Sequence, residues 1–254
     1  MASLLSATDV RRLLDAHGLA PRKAHGQNFV VDPNTVRKVV RDAGVGSGDL
    51  VVEVGPGLGS LTLALREAGA RVIAVEVDAG MVRALHDVVA DDEGVSIVHG
   101  DALRGDYRQL TGGRPATLVA NLPYNVATPV VVTALRSGAF AGLLVMVQKE
   151  VGQRWAARPG ESLYAAVSVK LAALADVVLV APVSRRAFYP VPNVDSATVR
   201  LTPRPWTAPV GPNELFPLVE QGFAQRRKRL RNALAGVGRP PAAVETALER
   251  AGLP

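Results

Sequence analysis

Short apolar runs alternate with amphipathic segments along most of the chain. Runs of this length that are rich in valine and isoleucine are typical of buried strands, whereas apolar residues three and four apart indicate helices. Seven strands are predicted, over residues 49–54, 70–77, 94–100, 116–121, 142–149, 176–183 and 196–203. Because short apolar runs alternate with amphipathic segments, we expect a parallel sheet flanked by helices, with the last two strands as an antiparallel pair at its edge.

Helices are also predicted outside this alternation. Ser6 and Asp9 form a capping box for a helix over about 7–17, and Asp32 caps a second helix that Gly44 ends. A further helix is expected over about 162–174. Four prolines between 203 and 212 mark a boundary, beyond which 213–234 and 242–252 are predicted helices. The expected domains are an α/β domain over 1–203, with a helical extension at 1–44, and a small all-α domain over 204–254.

A glycine-rich turn joins the first predicted sheet strand to the next helix. It contains Gly55, Gly57 and Gly59, preceded by Glu53. Glycines at such a turn let the backbone approach a ligand, and the following helix offers free amide donors. Dinucleotide-binding turns need a glycine at the position of Ser60. The spacing found here is instead typical of methyltransferases that use S-adenosylmethionine (AdoMet).

Two acidic residues end the next two predicted strands. Glu76 lies where an acid accepts hydrogen bonds from ribose hydroxyls in open α/β sheets, and Asp101 ends the third strand, where its carboxylate can meet an adenine amine. The glycine turn and both acids therefore lie at strand carboxyl ends, which favours an AdoMet site. The alternative is an ordinary strand–helix turn with two solvated acids.

The fourth strand ends in Asn121, Leu122, Pro123 and Tyr124. Proline holds the chain rigid, so the side-chain oxygen of Asn121 and the carbonyl of Leu122 are expected to be two fixed acceptors beside the flat face of Tyr124. This arrangement suits a flipped-out base with an exocyclic amine, whose hydrogens the two acceptors bind while the ring stacks on the tyrosine. The alternative is a proline-terminated strand with a surface tyrosine.

Composition narrows the function further. The 254 residues contain no cysteine, which excludes disulfides and thiolate chemistry, and the four histidines lack ligand spacing, so no metal is expected. No apolar stretch is long enough to span a membrane, so a cytoplasmic location is expected. The net charge is +6 and is concentrated at the ends, since residues 1–41 hold seven basic and three acidic residues and 203–254 hold eight and four. Basic ends suggest an anionic partner such as nucleic acid. The alternative, which charge alone supports equally, is an arginine-rich composition that keeps the protein soluble.

Taken in order, several segments resemble one known family across about residues 8–250. They are HGQNFVVD, VVEVGPGLGSLT, AVEVD, NLPYNVATP, MVQKEV, RRAFYPVPNVDSATVRL and FAQRRKRLRNAL. The chain resembles the KsgA/RsmA family of 16S rRNA adenine dimethyltransferases. The resemblance implies a Rossmann-like AdoMet-dependent methyltransferase sheet with a C-terminal helical rRNA-binding domain. It also implies transfer of two methyl groups to each of two adjacent adenines near the 3′ end of 16S rRNA in an immature small subunit, leaving S-adenosyl-L-homocysteine.

The same resemblance implies roles for individual residues. Asn28 and Val30 would close over AdoMet, and the site would be lined by Gly55, Glu76, Asp101 and Asn121. The segment from Asn121 to Tyr124 would be the catalytic tetrad. Phe188 would stack on the other face of the target base, although without the family it is better interpreted as a core residue of an edge loop.

A basic run is expected on the first of the two C-terminal helices. It comprises Arg226, Arg227, Lys228, Arg229 and Arg231. Five cations in six residues without an acid favour contact with RNA phosphates over a solvated face. A monomer is expected, since no coiled coil or repeat is evident. The alternatives left open are a large-subunit rRNA methyltransferase of the erythromycin-resistance type and a non-catalytic nucleic-acid-binding relative. A nicotinamide-dependent dehydrogenase is disfavoured by Ser60.

Overall fold

The computed structural model describes residues 3–21, 27–90, 92–225, 228–236 and 240–253. Nine strands are found in this part of the chain: β1 Phe29–Val30, β2 Leu50–Val54, β3 Arg71–Glu76, β4 Val95–His99, β5 Ala116–Asn121, β6 Phe140–Gln148, β7 Ala175–Val183, β8 Phe188–Tyr189 and β9 Ser196–Pro203. The seven predicted strands are all present, with ends within two residues of those expected. The short strands β1 and β8 were not predicted, because two residues carry no periodicity.

Eleven α-helices cover the sheet or follow it in the described residues: α1 Ala7–Ala16, α2 Pro33–Ala43, α3 Ser60–Glu67, α4 Ala79–Val89, α5 Tyr107–Leu110, α6 Ala127–Ser137, α7 Lys149–Ala156, α8 Ala166–Leu174, α9 Pro212–Ala224, α10 Leu230–Ala233 and α11 Pro241–Arg250. The capping box of Ser6 and Asp9 is confirmed, and Gly44 ends α2 in the left-handed conformation. The helix predicted from 162 begins at Ala166.

The seven longer strands form one mixed sheet in the order β4-β3-β2-β5-β6-β9-β7. The first five are parallel, and β9 pairs antiparallel with both β6 and β7. The predicted antiparallel pair is therefore confirmed, with β7 as the edge strand and β9 inserted beside β6. Because β3 follows β2 on one side while β5 lies on the other, the strand order reverses between β2 and β5. Ligands bind at this position in open α/β sheets.

The core lies on both faces of this sheet. Every residue of β2 is buried, as expected for a strand covered by helices on both sides. A separate cluster packs α1 against α3 and α4 through Val10 and Leu14, together with Phe29 from β1. The β1 strand pairs antiparallel with β8, which aligns Val30 with Phe188. This small pair fixes the segment after residue 27 against the carboxyl ends of the sheet strands.

The expected helix over 213–234 is wrong beyond Ala224. There α9 ends, and the short helix α10 begins only at Leu230. Successive cations at helical spacing repel one another, which disfavours continuing the helix through the basic run. The chain instead folds back: a methyl of Leu230 packs over Gly222, and the Gln221 side chain donates to the Ala233 carbonyl at 3.0 Å.

Helix α9 packs against the sheet domain. Phe216 of α9 belongs to the main hydrophobic cluster and contacts the Trp206 ring edge-on, with centroids 6.1 Å apart. Lys170 of α8 pairs with Glu220 of α9. Within the described residues, no helix is long and apolar enough to cross a membrane.

Candidate active site

A cavity opens at the carboxyl ends of β2, β3 and β5, where the strand order reverses. Its volume is about 400 Å³, within the range of roughly 300–1,000 Å³ common for small-molecule sites. The predicted cofactor residues come together here, since the lining includes Asn28, Val30, Gly55, Gly57, Glu76, Asp101 and Asn121. Residues separated by more than ninety positions thus form one concave site.

Glycine is required in the turn after β2. Gly55, Gly57 and Gly59 all have positive φ angles, of 70°, 56° and 89°. A Cβ atom on Gly59 would lie 2.7 Å from a methyl of Leu85, and one on Gly57 would lie 3.0 Å from the Phe29 ring. The turn therefore combines a left-handed backbone with close packing, and it leaves the amino end of α3 facing the cavity.

The Glu76 carboxylate is held by the backbone of two loops. Its Oε2 atom accepts from the Gly57 amide at 3.2 Å, and its Oε1 atom accepts from the amides of Val77 and Asp78, both at 2.9 Å. Burial raises the pKa of Glu76, and these amide donors oppose the rise. The glycine turn and the acid at the end of β3 are thereby joined into one rigid wall, with the carboxylate lining the cavity.

A second carboxyl group, that of Glu53, lies beneath the glycine turn. It is 1% exposed and accepts a hydrogen bond from the Thr62 hydroxyl at 2.6 Å. Burial raises the pKa of Glu53 from its ordinary 4.5 to about 8, and the nearby Glu76 charge adds to the rise. The side chain also lines the cavity. At neutral pH this carboxyl is therefore protonated.

Asp101 lies at the rim of the cavity rather than in its depth. Its Oδ1 atom accepts from the Leu103 amide at 2.9 Å, and Arg104 lies 3.7 Å from its Oδ2 atom. The side chain is 43% exposed, so its remaining acceptor positions are accessible. It is positioned to hydrogen-bond the outer end of a ligand.

The segment from Asn121 to Tyr124 begins with a fixed amide. The Nδ2 atom of Asn121 donates to the Asn28 carbonyl at 2.9 Å. Its Oδ1 atom receives no hydrogen bond from the residues that the structure describes and is free to accept one. Leu122 donates its amide to the Met146 carbonyl at 3.1 Å, and among the same residues nothing donates to its own carbonyl. Asn121 lines the cavity, whereas Leu122 is 1% exposed and is not among the lining residues, so the role of the two as an acceptor pair stays a prediction.

The aromatic residues of the predicted site lie beside the cavity, outside its lining. The Tyr124 hydroxyl lies 3.1 Å from the Ser196 hydroxyl, and burial raises the pKa of Tyr124, an effect that this hydrogen bond opposes. Phe188 is 2% exposed and belongs to a hydrophobic cluster with Val30 and Val183. The ring of Phe188 is therefore covered in this structure, and its stacking on a base stays a prediction.

The residues of the cavity fit AdoMet. The glycine turn can accommodate a bulky ligand at the start of α3, Glu76 can receive ribose hydroxyls, and Asp101 can receive an adenine amine. A further sign of a polar ligand is the buried Ser60 hydroxyl, which lacks a hydrogen-bond partner in the described part of the chain. Ser60 lines the same cavity. In the described residues no group of three metal-ligating side chains is found.

The basic run lies away from this cavity. Arg226 and Arg227 fall outside the described residues, so their expected placement on a helix face is not described. Lys228 and Arg229 are exposed in the connection between α9 and α10, and only Arg231 is helical. Arg231 pairs with Glu245 of α11 at 3.1 Å. The expectation of a single basic helix face is therefore wrong for Lys228 and Arg229.

Sequence reasoning gave no role to two residues that shape this site. Glu53 is visible in the sequence as a lone acid within an apolar strand, and that contrast alone could have marked it as a buried group. Ser196 carried no such signal, because its contact with Tyr124 spans 72 positions.

Comparison with known proteins gives consistent similarities. The family described as "Ribosomal RNA adenine dimethylase" matches residues 18–249. A protein of Streptomyces avermitilis named "Ribosomal RNA small subunit methyltransferase A" is 49% identical over 259 residues, covering 99% of this chain and 87% of that protein.

Two solved structures are also similar to this chain. One is a dimethyladenosine transferase from Plasmodium falciparum, with 27% identity and a TM-score of 0.69 over 87% of this chain and 78% of that chain. The other is the 23S rRNA methyltransferase ErmE, with 25% identity and a TM-score of 0.67 over 89% of this chain and 91% of that chain.

Proposed function

This chain belongs to the ribosomal RNA adenine dimethylase family, and we propose how its residues carry out that reaction. The protein is an AdoMet-dependent methyltransferase that dimethylates adenine in small-subunit rRNA. The large-subunit alternative is not favoured, because identity is 49% to the small-subunit relative and 25% to the 23S enzyme. The observation that carries the proposal is Asn121, which lines the cavity and whose Oδ1 atom receives no hydrogen bond from the described residues.

The cavity orients the cofactor by its two ends. Glu76 binds the ribose hydroxyls, Asp101 binds the adenine amine at the rim, and Asn28 and Val30 close the site from β1 and the residues before it. The glycine turn at Gly55 and Gly57 lies beside Glu76, whose carboxylate accepts from the Gly57 amide. When bound, AdoMet supplies an electrophilic methyl group on a positively charged sulfur.

The acceptor pair orients the target amine. Adenine's exocyclic nitrogen is a weak nucleophile, because its lone pair is delocalised into the ring. The Oδ1 atom of Asn121 and the carbonyl of Leu122 accept its two hydrogens, which favours a pyramidal nitrogen with its lone pair directed to the methyl group. Pro123 keeps the carbonyl fixed, and Tyr124 stacks on the base. The amide contact to Asn28 arranges these acceptors before the substrate arrives, so catalysis is by positioning and electrostatics.

Finer features of the substrate follow from the family resemblance. We infer two methyl groups on each of two adjacent adenines near the 3′ end of 16S rRNA, within an immature small subunit in the cytoplasm, acted on by a monomer. Phe188 would reach the second face of the base only after the β1–β8 pair moves. The division into a methyltransferase domain at 1–203 and an rRNA-binding domain at 204–254 is part of this proposal.

The C-terminal region provides a separate RNA contact. The exposed side chains of Lys228 and Arg229 form no ion pair with any described carboxylate, unlike Arg231. They are therefore free to neutralise phosphates, and Arg226 and Arg227 extend the run in sequence. This contact would bind the small ribosomal subunit at a distance from the reacting base.

The test is methyl transfer from labelled AdoMet to small and large subunits that lack these modifications, followed by nucleoside analysis. We expect dimethyladenosine in small-subunit rRNA alone. Asn121→Ala should lower the rate at saturating substrate by about 100-fold or more, because a fixed acceptor is lost. The matched control is Asn213→Ala, which removes an amide bonded to Arg136 on the surface. Equal rates for Asn121→Ala and the wild type would contradict the acceptor role.

A further inference from the structure

A buried hydroxyl reaches the catalytic loop from a strand far along the chain. Ser196 is fully covered, at 0% exposure, and its Oγ atom lies 3.1 Å from the hydroxyl of Tyr124. Tyr124 itself lies in the loop between β5 and α6, outside any helix or strand. The contact therefore joins a loop residue to the interior of the sheet.

The backbone of Ser196 has little freedom. It begins β9, where it is opposite Gln148 of β6 on one side and Val183 of β7 on the other. The preceding residue anchors two more segments, since the Asp195 carbonyl accepts from the Lys149 amide at 3.0 Å and its carboxylate accepts from the Arg185 amide at 2.9 Å. A hydroxyl fixed in this way is a rigid reference point.

A tyrosine ring in a loop needs such a reference point if its face is to be presented in one orientation. The backbone holds the Cβ end of Tyr124, and rotation about its two side-chain torsions would otherwise sweep the ring through several positions. A hydrogen bond at the far end of the ring fixes χ1, which sets where the ring lies. Because the hydroxyl oxygen lies on the axis of χ2, the bond restricts that second torsion through the preference of the phenolic hydrogen for the ring plane. The hydroxyl of Tyr124 is half-buried against β9, so it is directed away from the face on which a base would stack.

We propose that Ser196 is a positioning residue, which holds the ring of Tyr124 in the orientation that stacks on the target adenine. The inference rests on the proposed role of Tyr124 and extends it to a residue that touches neither substrate nor cofactor. A misplaced ring lets the base tilt away from the acceptors of Asn121 and Leu122. Ser196 therefore acts on the rate of the chemical step and leaves the cofactor cavity intact.

The primary variant is Ser196→Ala, measured in single-turnover methylation with saturating small subunits. We expect the rate to fall by about 10-fold, because a misplacement of about 1 Å in a reacting assembly costs up to roughly 100-fold. The dissociation constant for AdoMet, measured by calorimetry, should match that of the wild type. A drop in rate that is fully matched by weaker AdoMet binding would overturn the proposal.

Thr198 provides the matched control. It lies two residues along the same strand, is 1% exposed, and donates its hydroxyl to the Ala181 carbonyl at 3.3 Å. Thr198→Val removes a buried hydroxyl from the same face of β9 without touching Tyr124. It should lower the melting temperature about as much as Ser196→Ala while retaining the wild-type rate. Equal loss of rate in both variants would assign Ser196 a general structural role.

A double-mutant cycle then separates this proposal from the proposed function. Tyr124→Phe removes the other partner of the hydrogen bond, so Tyr124→Phe, Ser196→Ala and the double variant should show the same reduced rate. Additive losses would contradict a shared contact. Tyr124→Ala reports on the function itself: if it retains full activity, the stacking role of Tyr124 fails, whereas its inactivity with a fully active Ser196→Ala variant refutes only the positioning role.

Discussion

Replacing Glu53 with glutamine should change how the stability of the protein depends on pH. Glu53→Gln keeps the size of the side chain and an acceptor for the Thr62 hydroxyl, which now lies 2.6 Å from the carboxyl. It removes only the ability to lose a proton. Because the carboxyl is 1% exposed, its ionisation in the folded state requires a charge inside the core.

The size of the effect follows from proton linkage. The pKa of Glu53 is about 8 in the folded chain, against 4.5 as its ordinary value. Between these values the folded state holds a proton that the unfolded state has lost, so the free energy of unfolding falls as the pH rises. The fall is about 1.4 kcal/mol per pH unit and about 5 kcal/mol over the whole window. Stability from this group is complete below pH 4.5 and is lost as the pH passes 8.

The assay is urea denaturation of the wild type and Glu53→Gln at pH 5, 6, 7 and 8. Titration of all other groups is common to both proteins, so the difference between their unfolding free energies isolates Glu53. We expect the wild type to lose about 1.4 kcal/mol of unfolding free energy relative to Glu53→Gln for each unit by which the pH rises. Thr62→Val removes the hydroxyl but keeps the carboxyl. This variant should be less stable than the wild type, and its plot of unfolding free energy against pH should run parallel to that of the wild type. Parallel curves for Glu53→Gln and the wild type would refute the reasoning.

Three further variants test separate parts of the structure. Gly59→Ala should destabilise the protein by about 2 kcal/mol or more in thermal melts, because φ is 89° and the new Cβ would lie 2.7 Å from Leu85; an unchanged melting temperature would contradict this. Ser60→Ala should raise the stability of the ligand-free protein by about 1 kcal/mol in urea, since its buried hydroxyl is unpaired among the described residues; a loss would indicate a hidden partner. Glutamine at both Lys228 and Arg229 should reduce the slope of log affinity for rRNA against log salt by about 1.4–1.8, while an unaltered slope excludes phosphate contact there.

The sequence was sufficient for the cofactor half of the site because its signals are local. The glycine turn, Glu76 and Asp101 each follow a short apolar run, and parallel strands bring their carboxyl ends together. The acceptor pair could also be proposed from the sequence, since Asn121, Leu122 and Pro123 are adjacent in the chain. The contact between Asn121 and the Asn28 carbonyl could not be predicted from the sequence, because it depends on how β1 docks.

Contacts between distant segments account for the remaining differences. The hydroxyl pair of Tyr124 and Ser196 follows from the insertion of β9 beside β6, and a pattern of apolar residues does not determine strand order. The prediction that the basic run lies on one helix face was wrong for another reason. The helical pattern of apolar residues continues through 213–234. In the structure α9 ends at Ala224, because the cations repel one another and the chain folds back so that Leu230 packs on Gly222.

The position of β9 between β6 and β7 has a consequence for synthesis of the protein. A nascent chain produces β6 and then β7, yet neither pairs with the other, and both must wait for β9. Roughly 55 residues separate the end of β6 from the end of β9, which corresponds to several seconds of translation. Throughout that interval β6 presents an apolar strand with an open edge, the kind of surface that chaperones bind and that aggregates form on. Tyr124 acquires its hydroxyl partner, Ser196, only when this last strand closes the sheet, so a chain that lacks β9 leaves the loop after β5 without that contact.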